Sequence, residues 1–189
     1  MTVETITSIF LGIGLAASVG FRVFLPLFAL SLAAFFGKWE LNDSWQWIGS
    51  LAALITLGIA MLVEIFGYYI PWVDNVLDSL AVPLAAIAGT AVMVSTVAGL
   101  DPMVTWSLAI IAGGGTATAI KGAGATGRLA STASTGGLGN PIVSTVETGT
   151  AVAVSMASIF APLLAVILVI VILFIIFRIY RKLRPRAKT

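Results

Sequence analysis

Five charged residues lie within or beside long apolar stretches of this 189-residue chain. A charged side chain near the centre of a bilayer costs at least about 2.5 to 3.5 kcal/mol on insertion scales, so it is rarely kept there without a partner, a cavity or a use. The basic residues could neutralise an anion. The carboxylates could carry a proton or a cation, because a low dielectric favours the neutral form of a carboxyl group. The five residues are Arg22, Glu64, Lys121, Arg128 and Glu147.

Three of these five residues lie in one glycine-rich stretch, 113–147, which reads GGGTATAIKGAGATGRLASTASTGGLGNPIVSTVE. Glycines let helices approach closely or unwind, and unwound backbone is tolerated at membrane depth only where it is buried or lines a water-filled cavity. N–H groups freed at a helix start favour an anion, and neighbouring hydroxyl and amide side chains could add neutral hydrogen bonds. The predicted substrate site or transport path comprises Arg22, Glu64, Lys121, Arg128, Ser131, Thr132, Asn140 and Glu147.

Each of these charges also has a structural interpretation. Arg22 and Lys121 could extend from the end of a span to the interface. Arg128 and Glu147 could form a buried ion pair that braces a re-entrant loop. Glu64 could cap the interface, and the small residues could be helix-packing faces. The sequence leaves both sets of interpretations open.

The composition indicates an integral membrane protein. Hydrophobic residues make up 59% of the chain and charged residues 10%, and the mean hydropathy is +1.10, which is far from the balance of a soluble domain. We expect one membrane domain, 1–189. The chain has no cysteine and no histidine, which excludes disulfides, thiolate or imidazole metal sites and the usual catalytic base. We therefore expect no enzyme and no cofactor.

One enzyme alternative remains, in which Asp74 and Asp78 converge on a metal and act on lipid. The spacing of this pair is more typical of a helix start at the membrane surface.

The basic residues are concentrated at the C-terminus. This distribution indicates a cytoplasmic tail, 178–189, rather than a nucleic-acid-binding segment. Six of the ten lysines and arginines lie there, namely Arg178, Arg181, Lys182, Arg184, Arg186 and Lys188.

The apolar segments predict an all-α polytopic fold with about six membrane segments in two repeated halves, about 1–100 and about 103–183. Three features recur in the same order: small residues before Arg22 and Arg128, a Val-Glu pair at Glu64 and Glu147, and a serine-to-proline motif at 79–87 and 158–166. Three crossings in each half would make the halves inverted and place both termini inside. The first segment of each half is expected to be broken or re-entrant at its glycine-rich stretch; hairpins there would change the count and make the repeat parallel.

Three segments carry a resemblance to a known family: GLAASVGFRVFLPLFALSLAAFFG, IPWVDNVLD and KGAGATGRLASTASTGGLGNPIVSTVETG. They resemble the uncharacterised bacterial membrane proteins grouped as domain of unknown function 4126. The resemblance covers most of the chain and implies a multi-pass protein of the bacterial inner membrane, without an established activity or ligand. A looser similarity, in style alone, is to lipid-phosphate carriers whose re-entrant segments bring arginine and glutamate to the midplane.

The leading functional hypothesis is a transporter or channel for a small anionic or phosphate-bearing substrate, including a lipid phosphate, coupled to a proton or cation. The alternative is a structural or assembly protein that docks a membrane partner or its own copy through small-residue helix faces. The expected partners are the lipid bilayer, the anionic solute or lipid phosphate and a second copy of the chain, without nucleic acid.

Overall fold

The computed structural model of the protein describes residues 2–183, and within that range it consists of helices, turns and loops. The all-α prediction is therefore confirmed. The basic residues Arg184, Arg186 and Lys188 of the predicted tail lie outside the described residues. The helices are α1 (Val3–Val19), α2 (Phe24–Phe35), a 3-10 helix (Asp43–Gly49), α3 (Leu51–Gly67), α4 (Pro71–Thr96), α5 (Pro102–Leu108), a π-helical segment (Ala109–Gly114), α6 (Gly115–Thr135), α7 (Asn140–Phe160) and α8 (Pro162–Leu183).

Four helical stretches of the described chain are long and apolar enough to cross a membrane, and the 3-10 helix with α3, bent by 65°, can make a fifth. This is the pattern of a multi-pass membrane protein, with a smaller count than the six predicted segments. The difference arises in the first segment, since α1 and α2 each have 17 residues or fewer. The four long stretches are Val73–Thr96, Pro102–Thr135, Asn140–Phe160 and Pro162–Lys182.

Helices α1 and α2 form a helical hairpin, whose turn at 20–23 we call the tip. Along α1, the Ser18 hydroxyl donates to Ala151 O of α7 (2.8 Å) and Arg22 Nη2 donates to Ser144 O (2.9 Å), so α1 runs antiparallel to α7. Helix α2 then runs back toward the start of α1. This direction is shown by Trp39 Nε1, just after α2, which donates to Ile159 O (3.0 Å) near the end of α7. The predicted break in the first segment is confirmed, and both open ends of the hairpin lie at the same end of the helix bundle.

The bundle has two ends, which we call the hairpin face and the tail face. The hairpin face holds the start of α1 and the end of α4, where Ala98 N donates to Ser8 Oγ (3.1 Å). The tail face holds the α3–α4 and α6–α7 turns and the last turn of α8. Helix α1 packs parallel to α8, since Ala17 shares a core cluster with Val169 and a Cβ built on Gly14 would lie 2.8 Å from Ala165 Cβ. The start of α1 and the end of α8 at Leu183 therefore lie on opposite faces of the bundle.

The first segment of the second half is continuous, so the break predicted at its glycine-rich stretch is wrong. Helical structure runs without interruption over Pro102–Thr135, a stretch of 34 residues, through the π-helical segment. It ends where Gly136 takes the left-handed conformation (φ 63°) that favours glycine at a helix C-terminus. The physical reason is that a helix satisfies its own backbone groups at membrane depth. Some of its glycines serve close packing, as at Gly113 against Gly89.

The matched sequence features do not fall on equivalent structure in the two halves. Pro83 lies inside α4, whereas Pro162 begins α8 directly after the helix boundary at Ala161. The hairpin of the first half also corresponds to a continuous helix in the second half. Helices α3 and α4 run in directions opposite to those of α7 and α8.

Candidate functional site

Seven charged side chains gather where the tip meets α3, α4, α6 and α7, and we call them the charge cluster. Its centre is Tyr68, the residue that ends α3, whose side chain is buried. The guanidinium carbons of Arg22 and Arg128 lie 4.1 Å and 4.3 Å from the centroid of this ring, and Lys121 Nζ lies 5.8 Å away. A tyrosine ring attracts cations through its negative face. The cluster consists of Arg22, Glu64, Asp74, Asp78, Lys121, Arg128 and Glu147.

Arg128 ties three helices together. Its Nη1 donates to Asp74 Oδ1 of α4 (2.7 Å), and its Nη2 donates to Glu147 Oε2 and to Ser144 Oγ of α7 (3.1 Å). Asp78 Oδ1 lies 3.8 Å from its Nε. The side chain is 3% exposed, so these charge-assisted hydrogen bonds form away from water, where they are stronger than neutral ones.

Arg22 lies at the tip and is fully buried. Its Nε donates to Thr148 Oγ1 (3.0 Å) and its Nη2 to Ser144 O (2.9 Å), while Glu147 Oε2 is 3.8 Å from Nη2. Its Nη1 has no hydrogen-bond partner in the part of the chain that the structure describes. A buried guanidinium donor without an acceptor is costly, so this edge of Arg22 could donate a hydrogen bond to a ligand oxygen.

Two further members of the cluster hold the tip in place. Lys121 Nζ donates to Phe21 O (2.7 Å), which fixes the tip to α6. Both oxygens of Glu64 accept backbone N–H groups, those of Val23 (2.7 Å) and Phe24 (2.9 Å) at the start of α2. A carboxylate suits a helix N-terminus. The N–H groups at the start of α2 are thus occupied by Glu64.

The neutral residues of the predicted site lie at increasing distance from the cluster. Asn140 Nδ2 donates to Asp74 Oδ2 (3.2 Å) and to Thr132 Oγ1 (3.2 Å). Asn140 therefore touches the cluster, and Thr132 is one contact further out. Ser131 lies near the end of α6, where its side chain faces Gly139 of the α6–α7 turn.

Sequence reasoning left five side-chain contributors out of the predicted site. Tyr68, Ser144 and Thr148 had no distinguishing pattern. Asp74 and Asp78 did, because they are carboxylates one helical turn apart in an apolar helix, and such residues are functional candidates. The sequence led us to place this pair at the membrane surface, whereas Asp74 is buried. Both carboxylates turn toward Arg128, so the metal alternative loses its geometric basis.

The charge cluster is closed to solutes in this conformation. Six of its seven members are buried, and Asp78 is the exception, with 26% of its side chain exposed. Three basic and four acidic side chains give it a formal charge of −1. Two surface concavities, of about 420 and 360 Å³, lie elsewhere, beside Thr5 and Gly99 at the hairpin face and beside Trp45 and Trp106.

Comparison with known proteins identifies a family. Residues 9–182 match the family described as Domain of unknown function (DUF4126). The chain belongs to this family. All seven members of the charge cluster lie within the matched range of this DUF4126 protein. No curated protein and no solved structure matches the chain, so arguments about its function depend on the cluster.

Proposed function

We propose that this DUF4126 protein is a membrane transporter or channel for a small anionic or phosphate-bearing substrate, such as a lipid phosphate, coupled to a proton or cation. The observation that carries the proposal is the Nη1 edge of Arg22, which is fully buried at the tip and has no hydrogen-bond partner among residues 2–183. An anionic oxygen would satisfy this donor. Lys121, fixed to the same tip, supplies the second positive charge.

The other cation of the cluster has a different role in this proposal. Arg128 is already neutralised by Asp74 and Glu147, which belong to α4 and α7. Its ion pairs close the tail face above the tip. Separation of these pairs would give a substrate access to Arg22 and Lys121, so we assign Arg128 to the gate, and Arg22 and Lys121 to the binding of the substrate.

We further propose five membrane crossings, by α3, α4, the α5–α6 stretch, α7 and α8, with the hairpin entering and leaving at one face. The tail face is assigned to the cytoplasm of a bacterial inner membrane. The reason is that Arg178, Arg181 and Lys182 end α8 there, and lysine and arginine near span ends favour the cytoplasmic side.

Sided labelling of single cysteines tests this topology. The chain has no cysteine, so each introduced thiol is unique. Thr2→Cys and Lys38→Cys flank the hairpin and should react with a membrane-impermeant maleimide from outside intact cells, whereas Ser134→Cys at the tail face should react only after lysis. All three positions are exposed. Labelling of the Thr2 and Lys38 positions from opposite sides would show that the hairpin crosses the membrane.

Flux through liposomes tests the proposed function. Purified protein would be assayed with chloride, inorganic phosphate and a fluorescent lipid phosphate under a proton gradient. Arg22→Gln and Lys121→Gln should each lower flux of the transported probe by about ten- to a hundredfold, the effect of about 1.5 to 3 kcal/mol from one charge-assisted hydrogen bond. Lys38→Gln, an exposed cation outside the cluster, should leave flux unchanged. Unchanged flux in Arg22→Gln and Lys121→Gln, when both variants are folded, would refute the assignment of these two residues to substrate binding.

An assembly function is the second candidate, and one surface favours it. Gly122, Thr126 and Ala130 follow one another at helical spacing along α6, and a Cβ added to Gly122 would meet nothing within 4 Å. Small residues at this spacing let helices of two chains approach closely. If Ala130→Phe dissociates a homo-oligomer and the wild type carries no probe, the assembly function would replace the transport proposal.

A further inference from the structure

We infer that Asp78 is the carboxylate that carries the coupling proton in the charge cluster. This inference rests on the proposed function, since it names the coupling group of the same site. The sequence had given that role to Glu64 and Glu147. The contacts of the four carboxylates distinguish them.

Three of the four carboxylates either accept hydrogen bonds through both oxygens or lie beside two cations. Glu64 accepts two backbone N–H groups, and protonation would cost the start of α2 one of them. Glu147 lies between Arg128 and Arg22. Asp74 accepts from Arg128 through Oδ1 and from Asn140 through Oδ2. A proton on any of these would displace a hydrogen bond that holds two elements together.

Asp78 differs from the other three carboxylates in its hydrogen bonding and in the exposure of its side chain. Its nearest cationic atom is Arg128 Nε, at 3.8 Å, which is beyond hydrogen-bond distance. Its carboxylate makes no hydrogen bond to the described side chains and backbone of residues 2–183. It is also the one member of the cluster with substantial exposure, 26% of the side chain. Proton exchange at Asp78 therefore breaks the fewest contacts, and its side chain is the most accessible of the four carboxylates.

The charges around Asp78 come from several helices. The ionisable groups that influence it are Arg128 and Lys121 from α6, Asp74 from α4 and Glu147 from α7, with the neutral phenol of Tyr68 from α3. Two cations and two carboxylates nearly balance one another there. The whole cluster carries a formal charge of −1, and a net charge buried in a low dielectric is costly. One proton on Asp78 makes the cluster neutral, and an arriving anion would then meet no excess negative charge.

Infrared spectroscopy of the purified protein in lipid nanodiscs, titrated from acid to alkaline pH, tests this assignment without any substrate. The wild type should show a protonated-carboxyl C=O band that titrates. The band should vanish in Asp78→Asn, persist at a changed frequency in Asp78→Glu, and stay unchanged in Glu64→Gln and in the exposed control Asp43→Asn. A band that survives in Asp78→Asn, or that disappears in Glu64→Gln or Glu147→Gln, overturns the inference. The inference is also overturned if the wild type shows no such band and sodium stabilises the wild type but not Asp78→Asn.

The liposome assay separates this inference from the proposed function. Asp78→Asn should abolish accumulation of the transported probe against its gradient, and the exposed control Asp43→Asn should leave accumulation unchanged. If the wild type moves the probe but ignores the proton gradient, the transport proposal stands and the coupling role of Asp78 is wrong. If no probe moves but the infrared band behaves as expected, Asp78 exchanges a proton and the transport proposal fails.

Discussion

Arg128→Ala should lower the free energy of unfolding by about 3 to 5 kcal/mol, the cost of removing one partner from a buried ion pair. The guanidinium joins Asp74 to Glu147 and Ser144, and its side chain is 3% exposed. Its loss would change the formal charge of the cluster from −1 to −2 and leave Asp74 without its cation. Thermal or denaturant unfolding of the detergent-solubilised protein measures the effect.

Two further variants make the Arg128 measurement interpretable. Lys38→Ala removes one positive charge from an exposed position and should change the free energy of unfolding by less than about 0.5 kcal/mol. Asp74→Asn, added to Arg128→Ala, should recover part of the lost stability because it removes the carboxylate that has become unpaired. If Arg128→Ala unfolds at the same point as Lys38→Ala, the ion pairs do not hold α4, α6 and α7 together, and the proposed gate fails with them.

The charged residues were the part of the site most accessible to sequence reasoning. Arg22, Glu64, Lys121, Arg128 and Glu147 interrupt apolar sequence, and the insertion cost of a charge makes each conspicuous. Their partners were not accessible in this way. Arg128 meets Asp74, 54 positions away in the chain, and no local pattern encodes which residues a fold brings together over that separation.

The roles of the carboxylates show the same limit. Glu64 and Glu147 each follow a valine in an apolar helix, which suggested one shared role. In the structure Glu64 caps the start of α2, and Glu147 lies between two arginines. A carboxylate has the same appearance in sequence whether its partners are backbone N–H groups or guanidinium groups, so only the tertiary contacts separate them.

The fold was predictable where local chemistry decides it. The residues around Gly20 and Pro26 disfavour a straight helix, and the chain does turn at the tip. Whether α2 returns or continues depends on a distant contact, that of Trp39 with Ile159. The glycine-rich stretch was ambiguous for another reason, because glycine suits both an unwound segment and a tightly packed helix.

Substitution of Gly113 distinguishes those two uses of glycine, with a large expected effect. A Cβ built on Gly113 would lie 2.6 Å from Gly89 O and 2.8 Å from Met93 Cβ of α4. Backbone on the facing helix cannot move aside as a flexible side chain can, so relief requires separation of α4 from the π-helical segment. Overpacking costs about 1 to 3 kcal/mol. We expect Gly113→Ala at the upper end of that range and failure to fold for Gly113→Val.

The matched control is Gly127→Ala, in the same continuous stretch, where an added Cβ meets nothing within 4 Å. Because alanine favours helix over glycine by about 1 kcal/mol, this variant should be as stable as the wild type or more stable. The two alanine variants add the same methyl group to the same helix, so thermal unfolding of the pair isolates the facing backbone as the cause. Equal stability would mean that Gly113 does not pack against Gly89. The unwound segment indicated by the sequence would then have to replace the continuous helix, and the position of Lys121 and Arg128 relative to the tip would change with it.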